Sequence, residues 1–494
     1  MRALVRRWTI LYADSVGRSG PLLLSRVASA VLTFALPLVL VRLLDRHSFG
    51  TYKQFFLVTQ TLLLVGQLGL TQSLYYFLPR GTERRGAYVV QVTALLAALG
   101  ALVGVGIATF GAPLLARALA SPDLLALRLP LAVTAAAMLA AAPLEATLVS
   151  EGRLGQAAFA YTASDFLRAA GIVLAAAFVG GPWIFWAAAL VSLLRMGLLW
   201  SLLSARLLPA SAPSRKLLGA QLSYALPFAG SSLLYVLQEY FPQYAVSACF
   251  DPATYALFAV ASFHMSIVDI IYSPMSEVLM VELGQSDGGG PREASARHWR
   301  ATVQRLATLL FPAAVGSWLV GPTLLPMLFT KAYAPAVPLF VLATAEIPFW
   351  ILPCDAVLRA YGDTRFLFGF SAVRLGVTAL LVVAGVHWFG VAGAIGAGIA
   401  SEIFGVSVLF ARARQHLQAR ASELLDWRGL ARSAAAAAFA ALPGLALRFV
   451  LPPGKLLVAL SVLLYVPIYF TARMKLARRE PVMPLPLVAS LGEE

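Results

Sequence analysis

The sequence is 494 residues long, with 60% hydrophobic residues, only 12% charged residues and a formal net charge of +15. That balance excludes a soluble globular domain, in which about a quarter of the residues are charged. The lack of sustained apolar–polar alternation excludes a membrane barrel.

The apolar residues fall into blocks of roughly 20 to 27, each long enough to cross about 30 Å of hydrocarbon as a helix. In chain order the blocks predict helices near 20–44, 52–78, 87–110, 124–149, 156–179, 183–206, 218–248, 253–282, 301–329, 335–360, 364–387, 391–411, 432–451 and 455–473. The expected fold class is therefore an all-α polytopic membrane protein of about 14 transmembrane helices. The thirteenth block, "SAAAAAFAALPGLALRFVL", is alanine-rich and interrupted by Pro443 and Gly444, which packed membrane helices tolerate. The first block exceeds the apolar core of a signal peptide and no cleavage site follows it, so it is expected to stay in the mature chain.

Basic residues alternate with the blocks. Arg2, Arg6, Arg7 and Arg18 precede the first block; Arg80, Arg84 and Arg85, then Arg215 and Lys216, then Arg292, Arg297 and Arg300, then Arg412, Arg414, Arg420 and Arg428 occupy loops on the same expected side. The tail adds Arg473, Lys475, Arg478 and Arg479, whereas "GGP" at 180–182, "FDPA" at 250–253 and "HWFGVAG" at 387–393 carry almost no positive charge. The positive-inside rule places both termini in the cytoplasm. The same asymmetry accounts for the net charge without a nucleic-acid partner. Cys249 and Cys354 lie in different parts of the chain, no His or carboxylate cluster has ligand spacing, and no phosphate-binding glycine loop occurs, so no disulfide, metal, cofactor or ATP motor is expected.

The chain repeats itself weakly. "DRHSFGTYKQF" from Asp45 is echoed by "DPATYALFAVA" from Asp251, pairing Asp45 with Asp251, Phe49 with Tyr255, Gly50 with Ala256 and Tyr52 with Phe258. "LVSEGRLGQAAFAYTASDFLR" from Leu148 is echoed by "LRAYGDTRFLFGFSAVRL" from Leu358. Two parallel, pseudo-symmetric six-helix lobes follow, related by an axis along the membrane normal. The expected organisation is a cytoplasmic N-terminus at 1–19, an N-lobe at 20–212, a C-lobe at 213–411, a cytoplasmic loop at 412–431, a helix pair at 432–473 and a cytoplasmic tail at 474–494.

The stretch "LLDRHSFGTYKQFFLVTQTLLLVGQLGLTQSLYYFLPR" resembles the N-terminal region of Wzx-like O-antigen and polysaccharide flippases, the polysaccharide biosynthesis proteins of the multidrug/oligosaccharidyl-lipid/polysaccharide (MOP) exporter superfamily. "LFTKAYAPAVPLFVLATAEIPFWILPCDAVLRAYGDTR" and "FGVAGAIGAGIASE" resemble the same family's C-terminal lobe. The resemblance implies a flippase, not an enzyme, that moves an undecaprenyl-diphosphate-linked oligosaccharide across the inner membrane for O-antigen, capsule or exopolysaccharide synthesis. It also implies coupling to a proton or sodium gradient and contact with membrane lipids and other polysaccharide-assembly proteins. The helix pair after residue 430 departs from the twelve helices of many O-antigen flippases. A cation-coupled drug antiporter or a lipid II flippase of the same superfamily, and a membrane polysaccharide polymerase or ligase, stay open as alternatives.

A flippase of this kind needs a wet, cationic lumen, and polar stripes supply candidates for its walls. In the first helix Arg26, Ser29 and Thr33 share a face; in the second Lys53, Gln60 and Gln67 recur every seven residues; in the seventh Ser231, Tyr235 and Gln238 align beside Glu239. In the eighth Ser262, Ser266, Asp269, Ser273 and Ser276 step by four and three, within roughly 80° of arc at 100° per residue. Ile267, Ile271 and Met275 lie opposite. A central charge costs about 2.5–3.5 kcal/mol in lipid unless it meets water or a partner, which favours lumenal positions for Arg26, Lys53 and Asp269. Asp269 and Glu239 are the candidate ion carriers, and Arg374 is a further deep cation suited to a diphosphate. Asp165, Arg168 and Arg195, like Glu346, Asp355 and Glu402, read as members of structural ion pairs.

Overall fold

The computed structural model describes residues 28–29, 31–80, 85–206, 214–286 and 292–477. Among these residues helices dominate and none lies in a strand. Chain order gives α1 (Val31–Leu43), α2 (Arg46–Gly66), α3 (Leu70–Arg80), α4 (Arg85–Ala118), α5 (Arg128–Ser150), α6 (Leu154–Phe178), α7 (Trp183–Arg206) and α8 (Arg215–Cys249). It continues with α9 (Pro252–Ala261), α10 (Met265–Ser286), α11 (Arg292–Leu328), α12 (Ala336–Ala360), α13 (Thr364–Leu417), α14 (Trp427–Val450) and α15 (Lys455–Ala477). Eight of the described helices are long and apolar enough to cross a membrane, and a ninth span results if α2 and α3, bent by 46°, are taken together. Exposed apolar side chains such as Leu102, Phe110, Phe159, Phe178 and Phe449 form the surface that lipid covers. The protein is a multi-pass membrane protein.

Two boundaries differ from the sequence reading for local reasons. The block at 52–78 is not one helix: it breaks at Gln67–Gly69, where Leu68 and Gly69 both take positive φ. The blocks at 364–387 and 391–411 are joined without a loop in α13, at Gly390, whose φ of 61° and ψ of −139° no helix contains. Gly393 lies so close to the Gly385 carbonyl that the chain must double back at this point.

Contacts divide the chain into two compact units, one comprising residues 1–259 and 370–394, the other 260–369 and 395–494. In the first, Leu70, Leu74 and Leu78 of α3 pack with Val89, Val92 and Leu96 of α4, Leu144 and Leu148 of α5, and Leu199 and Leu203 of α7. The Asp45 carboxylate accepts from the Ser48 and His47 amides at 3.2 and 3.3 Å and caps α2. In the echoed sequence Asp251 accepts from the Thr254 amide at 2.9 Å and caps α9. Both carboxyls are held below their ordinary value of 3.8, by the Ser48 and Thr254 hydrogen bonds respectively. Behind each cap a pair of rings stacks alike, Phe49 on Tyr52 at 6.0 Å and Tyr255 on Phe258 at 6.3 Å. The two knots also touch, because Gly50 lies against the Pro252 backbone where a β-carbon would not fit. Fully buried Gln54 ties them further, its amide nitrogen donating to the Leu119 carbonyl at 3.1 Å and to Ser247 Oγ of α8 at 2.8 Å.

The second echo is equally concrete. After α5 the amides of Glu151, Gly152 and Arg153 donate to the carbonyls of Thr147, Val149 and Leu148. After α12 the amides of Tyr361, Gly362 and Asp363 donate to those of Val357, Arg359 and Leu358, the same pattern in the second unit. Gly152 and Gly362 hold φ of 74° and 70°, which closes both helices with a left-handed residue. The second turn is fastened by Asp363, which accepts from Arg412 Nε at 2.7 Å and lies 2.8 Å from His416 Nε2. Arg412 first and His416 second hold the Asp363 carboxyl below its ordinary 3.8.

The core of the second unit gathers Leu279 and Leu283 of α10, Trp299, Val303, Leu306 and Leu310 of α11, and Val357 and Leu358 of α12. Its α11 contains Pro312, Pro322 and Pro326. Each proline lacks the amide that would bond four residues back, so Pro312 frees the Thr308 carbonyl and Pro322 frees that of Trp318. The last two helices supply replacements. Tyr469 Oη donates to the Thr308 carbonyl at 2.8 Å, Tyr465 Oη to the Pro312 carbonyl at 3.0 Å, and Arg448 Nη2 reaches the carbonyls of Trp318 and Leu319. Ala436, Ala437, Ala440 and Ala441 of α14 let that helix approach α11 at Leu319.

Tyr469→Phe keeps the ring and removes the donor, so reversible unfolding in mixed micelles is expected to show a loss of about 1 kcal/mol; unchanged stability would mean that the Thr308 carbonyl is satisfied elsewhere. Because the folded carboxyl of Asp363 titrates below its unfolded value, its contribution is present above about pH 4 and lost as pH falls through the folded value. Asp363→Asn is expected to be less stable than the native chain at pH 7, with the difference fading below pH ~4 in thermal melts.

Candidate functional site

The first unit contains a cavity of about 280 Å³. Its wall combines Phe56 and Leu63 of α2, Gln67 of the break, Thr71, Gln72 and Tyr75 of α3, Glu145 of α5, Tyr161, Asp165 and Arg168 of α6, and Ser192 and Arg195 of α7. Two irregularities of the backbone open onto it. The α2–α3 break places Gln67 and Thr71 on the wall, and α5 is interrupted at Ala142, itself a lining residue, just before Pro143. Leu68 and Gly69 leave helical backbone at the α2–α3 break, whereas Ala142 keeps helical dihedrals; non-helical backbone at membrane depth survives only where protein or a water-filled cavity satisfies it, so that break and the cavity belong together.

The charges are arranged with care for their solvation. Arg168 Nη2 lies 3.2 Å from Asp165 Oδ1, one turn back on the same helix. The Arg195 guanidinium lies 5.2 Å over the Tyr161 ring, and its Nε has no hydrogen-bond partner among the described residues. The expected Asp165–Arg168 pair therefore forms, whereas Arg195 packs on an aromatic face and keeps donors for something else. Two guanidiniums and two carboxylates line one space, so a single arriving proton or ion changes the balance of the whole wall.

The other candidates are dispersed. Arg26 lies outside the described residues. Ser29 is buried and accepts through its carbonyl from Thr33 Oγ1 at 2.8 Å, a within-helix bond, while Thr33 itself is exposed. Of the series Lys53, Gln60 and Gln67 only Gln67 lines the cavity; Lys53 Nζ lies 5.7 Å from the Phe49 ring centre, and Gln60 is half-buried. On α8 Tyr235 and Glu239 are exposed and Gln238 half-buried; Arg374 is half-buried in α13. The α10 stripe is not uniform: Asp269 is exposed and Ser273 half-buried, but Ser276 is 2% exposed, and Ile271 and Met275 pack on the core of the second unit. The side chain of Ser266 is outside the description. A 3-10 turn at Ser262–His264 precedes α10, so Ser262 alone is rotated, by about 60°, out of phase with the rest of the stripe.

In the second unit Tyr272 Oη donates to Asp355 Oδ1 at 2.6 Å, Arg359 pairs with the same carboxylate, and Trp350 Nε1 donates to Glu346 at 3.4 Å. Glu402 is 9% exposed. Among the described residues no group of three or more His, Cys, Asp or Glu side chains is placed to hold a metal ion.

This arrangement of helices defines a class. It is similar to lipid II flippase MurJ in an inward closed conformation, at 12% identity and a TM-score of 0.72 over 92% of this chain and 99% of that one. It is also similar to an inward-facing multidrug resistance MATE family transporter of the MOP superfamily (16% identity, TM-score 0.64, 79% and 94% covered) and to a MOP superfamily transporter from Pyrococcus furiosus (16%, 0.58, 82% and 95%). At these identities the likeness is one of fold: the chain has the helical architecture of the MOP-superfamily flippases and transporters. The profile of the polysaccharide biosynthesis protein family matches residues 39–338, and the chain belongs to that family. No curated protein matches the sequence.

Single cysteines in a background lacking Cys249 and Cys354 test the phase of α10. Asp269→Cys and Ser273→Cys are expected to react with a small charged thiol reagent in membranes, and Met275→Cys and Ser276→Cys to stay silent. Silence at Asp269 would place that exposed face in lipid.

Proposed function

We propose that the chain is a flippase that moves an undecaprenyl-diphosphate-linked oligosaccharide from the cytoplasmic to the periplasmic leaflet of the bacterial inner membrane, by alternating access, for surface polysaccharide synthesis. Both termini are cytoplasmic in this reading. The observation that carries it is the charged cavity of the first unit in a chain of the polysaccharide biosynthesis family. A space of about 280 Å³ is small for an oligosaccharide but suits one phosphate-sized anion or a hydrated cation. Arg195, with unused donors beside the Asp165–Arg168 pair, is the group such an anion would meet. Protonation or cation binding at Glu145 or Asp165 would release positive charge for that contact, which couples an ion gradient to headgroup binding.

Arg26, Ser29, Thr33, Lys53, Gln60, Gln67, Tyr235, Gln238, Ser266, Ser273 and Arg374 are the proposed contacts of the remainder of the substrate. Glu239 and Asp269 are further ion carriers in this scheme. The two cavity carboxylates also suit a cation-coupled antiporter of the same superfamily, so the test must separate the two.

In a strain lacking the gene, the native chain is expected to restore surface polysaccharide. Arg195→Ala is expected to lower it about tenfold or more at equal protein level, and Arg195→Lys to recover part, since lysine keeps the charge but loses the two-pronged fit to phosphate oxygens. Full restoration by Arg195→Ala would remove Arg195 from the site. Unchanged polysaccharide in the deletion strain, together with new drug sensitivity, would replace the flippase by the antiporter.

A further inference from the structure

The exposed side of α3 has the wrong polarity for lipid. Leu70, Leu74 and Leu78 are completely buried, while Gln72, Tyr75, Tyr76 and Pro79, three and four apart along one side, are exposed. The neighbouring α4 does the opposite and exposes Leu102, Val105, Phe110 and Leu114. A helix that hides its leucines and presents an amide and two phenols is built to face water or a polar ligand, as on the surface of a soluble protein. That side of α3 runs directly into the charged cavity, whose wall already includes Gln72 and Tyr75.

Its aromatic rings are organised. Tyr76 stacks on Tyr224 of α8, with centres 4.6 Å apart and planes 23° from parallel. Phe77 braces the pair from behind, edge-on to Tyr224 at 5.9 Å and stacked on Tyr88 of α4 at 5.1 Å. Tyr76 and Tyr224 nevertheless remain 38% and 42% exposed. The result is a braced aromatic surface with hydroxyl groups at its edge.

We propose that Tyr76 and Tyr224, with Tyr75 alongside, form a carbohydrate-binding platform for a pyranose ring of the lipid-linked substrate, an inference that rests on the flippase reading above. A pyranose has faces of axial C–H bonds and a rim of hydroxyls. The C–H face packs on the electron-rich face of an aromatic ring, while the Gln72 amide and the Tyr75 phenol are matched to the rim. Bracing by Phe77 and Tyr88 fixes the rings beforehand, so little side-chain freedom is lost on binding. The platform lies near the end of α3 that precedes the basic residues Arg80, Arg84 and Arg85 in the sequence, on the side where the positive-inside rule puts the cytoplasm and where the sugar must be loaded.

Interfacial tyrosines that merely anchor a helix at the membrane surface are the competing explanation, and the two differ in what they tolerate. A platform needs an aromatic face at each position and can lose a hydroxyl; an anchor or a packing contact accepts an aliphatic side chain of similar size. In the deletion strain carrying the full chain on a plasmid, Tyr76→Phe and Tyr224→Phe are expected to restore surface polysaccharide to near the native level. Tyr76→Leu and Tyr224→Leu are expected to fall about tenfold below it, at equal membrane abundance and equal melting temperature. Should the leucine chains fail to accumulate, methionine, which fills the space flexibly, takes their place in the same comparison. Full restoration by the aliphatic variants overturns the platform while leaving the flippase intact. A deletion strain with normal polysaccharide overturns the flippase reading itself, so the two failures are told apart.

Discussion

A helix broken inside a bilayer leaves carbonyls and amides that lipid cannot satisfy, and the places where this chain breaks its helices account for much of its organisation. In α11 two prolines free the carbonyls of Thr308 and Trp318, and α14 and α15 bring Tyr469 and Arg448 to them. The C-terminal helix pair thus supplies donors to carbonyls that the prolines of α11 free. In the first unit the Leu139 carbonyl that Pro143 frees accepts from the Ala142 amide at 3.2 Å, and the α2–α3 break at Gln67–Gly69 opens on the charged cavity. One constraint therefore has two solutions: a hydroxyl or guanidinium from a neighbouring helix where the chain needs rigidity, and a polar space where it needs a site.

The two local echoes are recognisable in sequence because their markers are local. An Asp cap with a ring pair three residues apart, or a helix closed by a glycine of positive φ, depends on a handful of neighbouring residues, so it survives in sequence after the packing around it has diverged. The paired turns at Gly152 and Gly362 also align Glu145 with Asp355, each three residues before the matched leucines Leu148 and Leu358. Each carboxylate lies at a polar cluster of its own unit, Glu145 on the cavity wall and Asp355 under the Tyr272 hydroxyl. What each unit made of that position differs: open space with two guanidiniums in the first, and a closed tyrosine and arginine contact in the second.

The site was legible only in part, because a cavity is a property of several helices at once. Periodicity on one helix found Gln67, but it treated Asp165, Arg168 and Arg195 as a structural triad, since spacing along a helix shows which charges can pair and not whether a space lies between them. The triad does not close: Arg195 goes to Tyr161 instead. The interruptions at Gly69 and Pro143 inside apolar blocks were the sequence signal that pointed to the space, as half-broken segments mark binding regions in transporters. The α10 stripe shows a second limit of periodicity. Asp269 and Ser276 keep nearly the same phase within α10, yet Ser276, near Leu279 of the core, is covered while Asp269 is exposed, a difference of position along the helix that phase does not show.

Amphipathicity in a membrane carries a sign that hydropathy averages discard. The segment "LTQSLYYFLPR" was absorbed into one apolar span, and its leucines looked like the lipid-facing residues. They are the buried ones. A leucine gains by burial in a protein core only what it loses on leaving lipid that is equally apolar, so the hydrophobic effect does not choose between these positions in a bilayer. The choice falls to the polar residues: Gln72, Tyr75 and Tyr76 cost most in hydrocarbon and so decide that their side meets water, and the leucines take what remains. Where polar side chains recur every three or four residues and leucines fill the other face, as on α3, the polar face costs most in contact with lipid, and it separates the two sides of the helix more directly than any isolated charge.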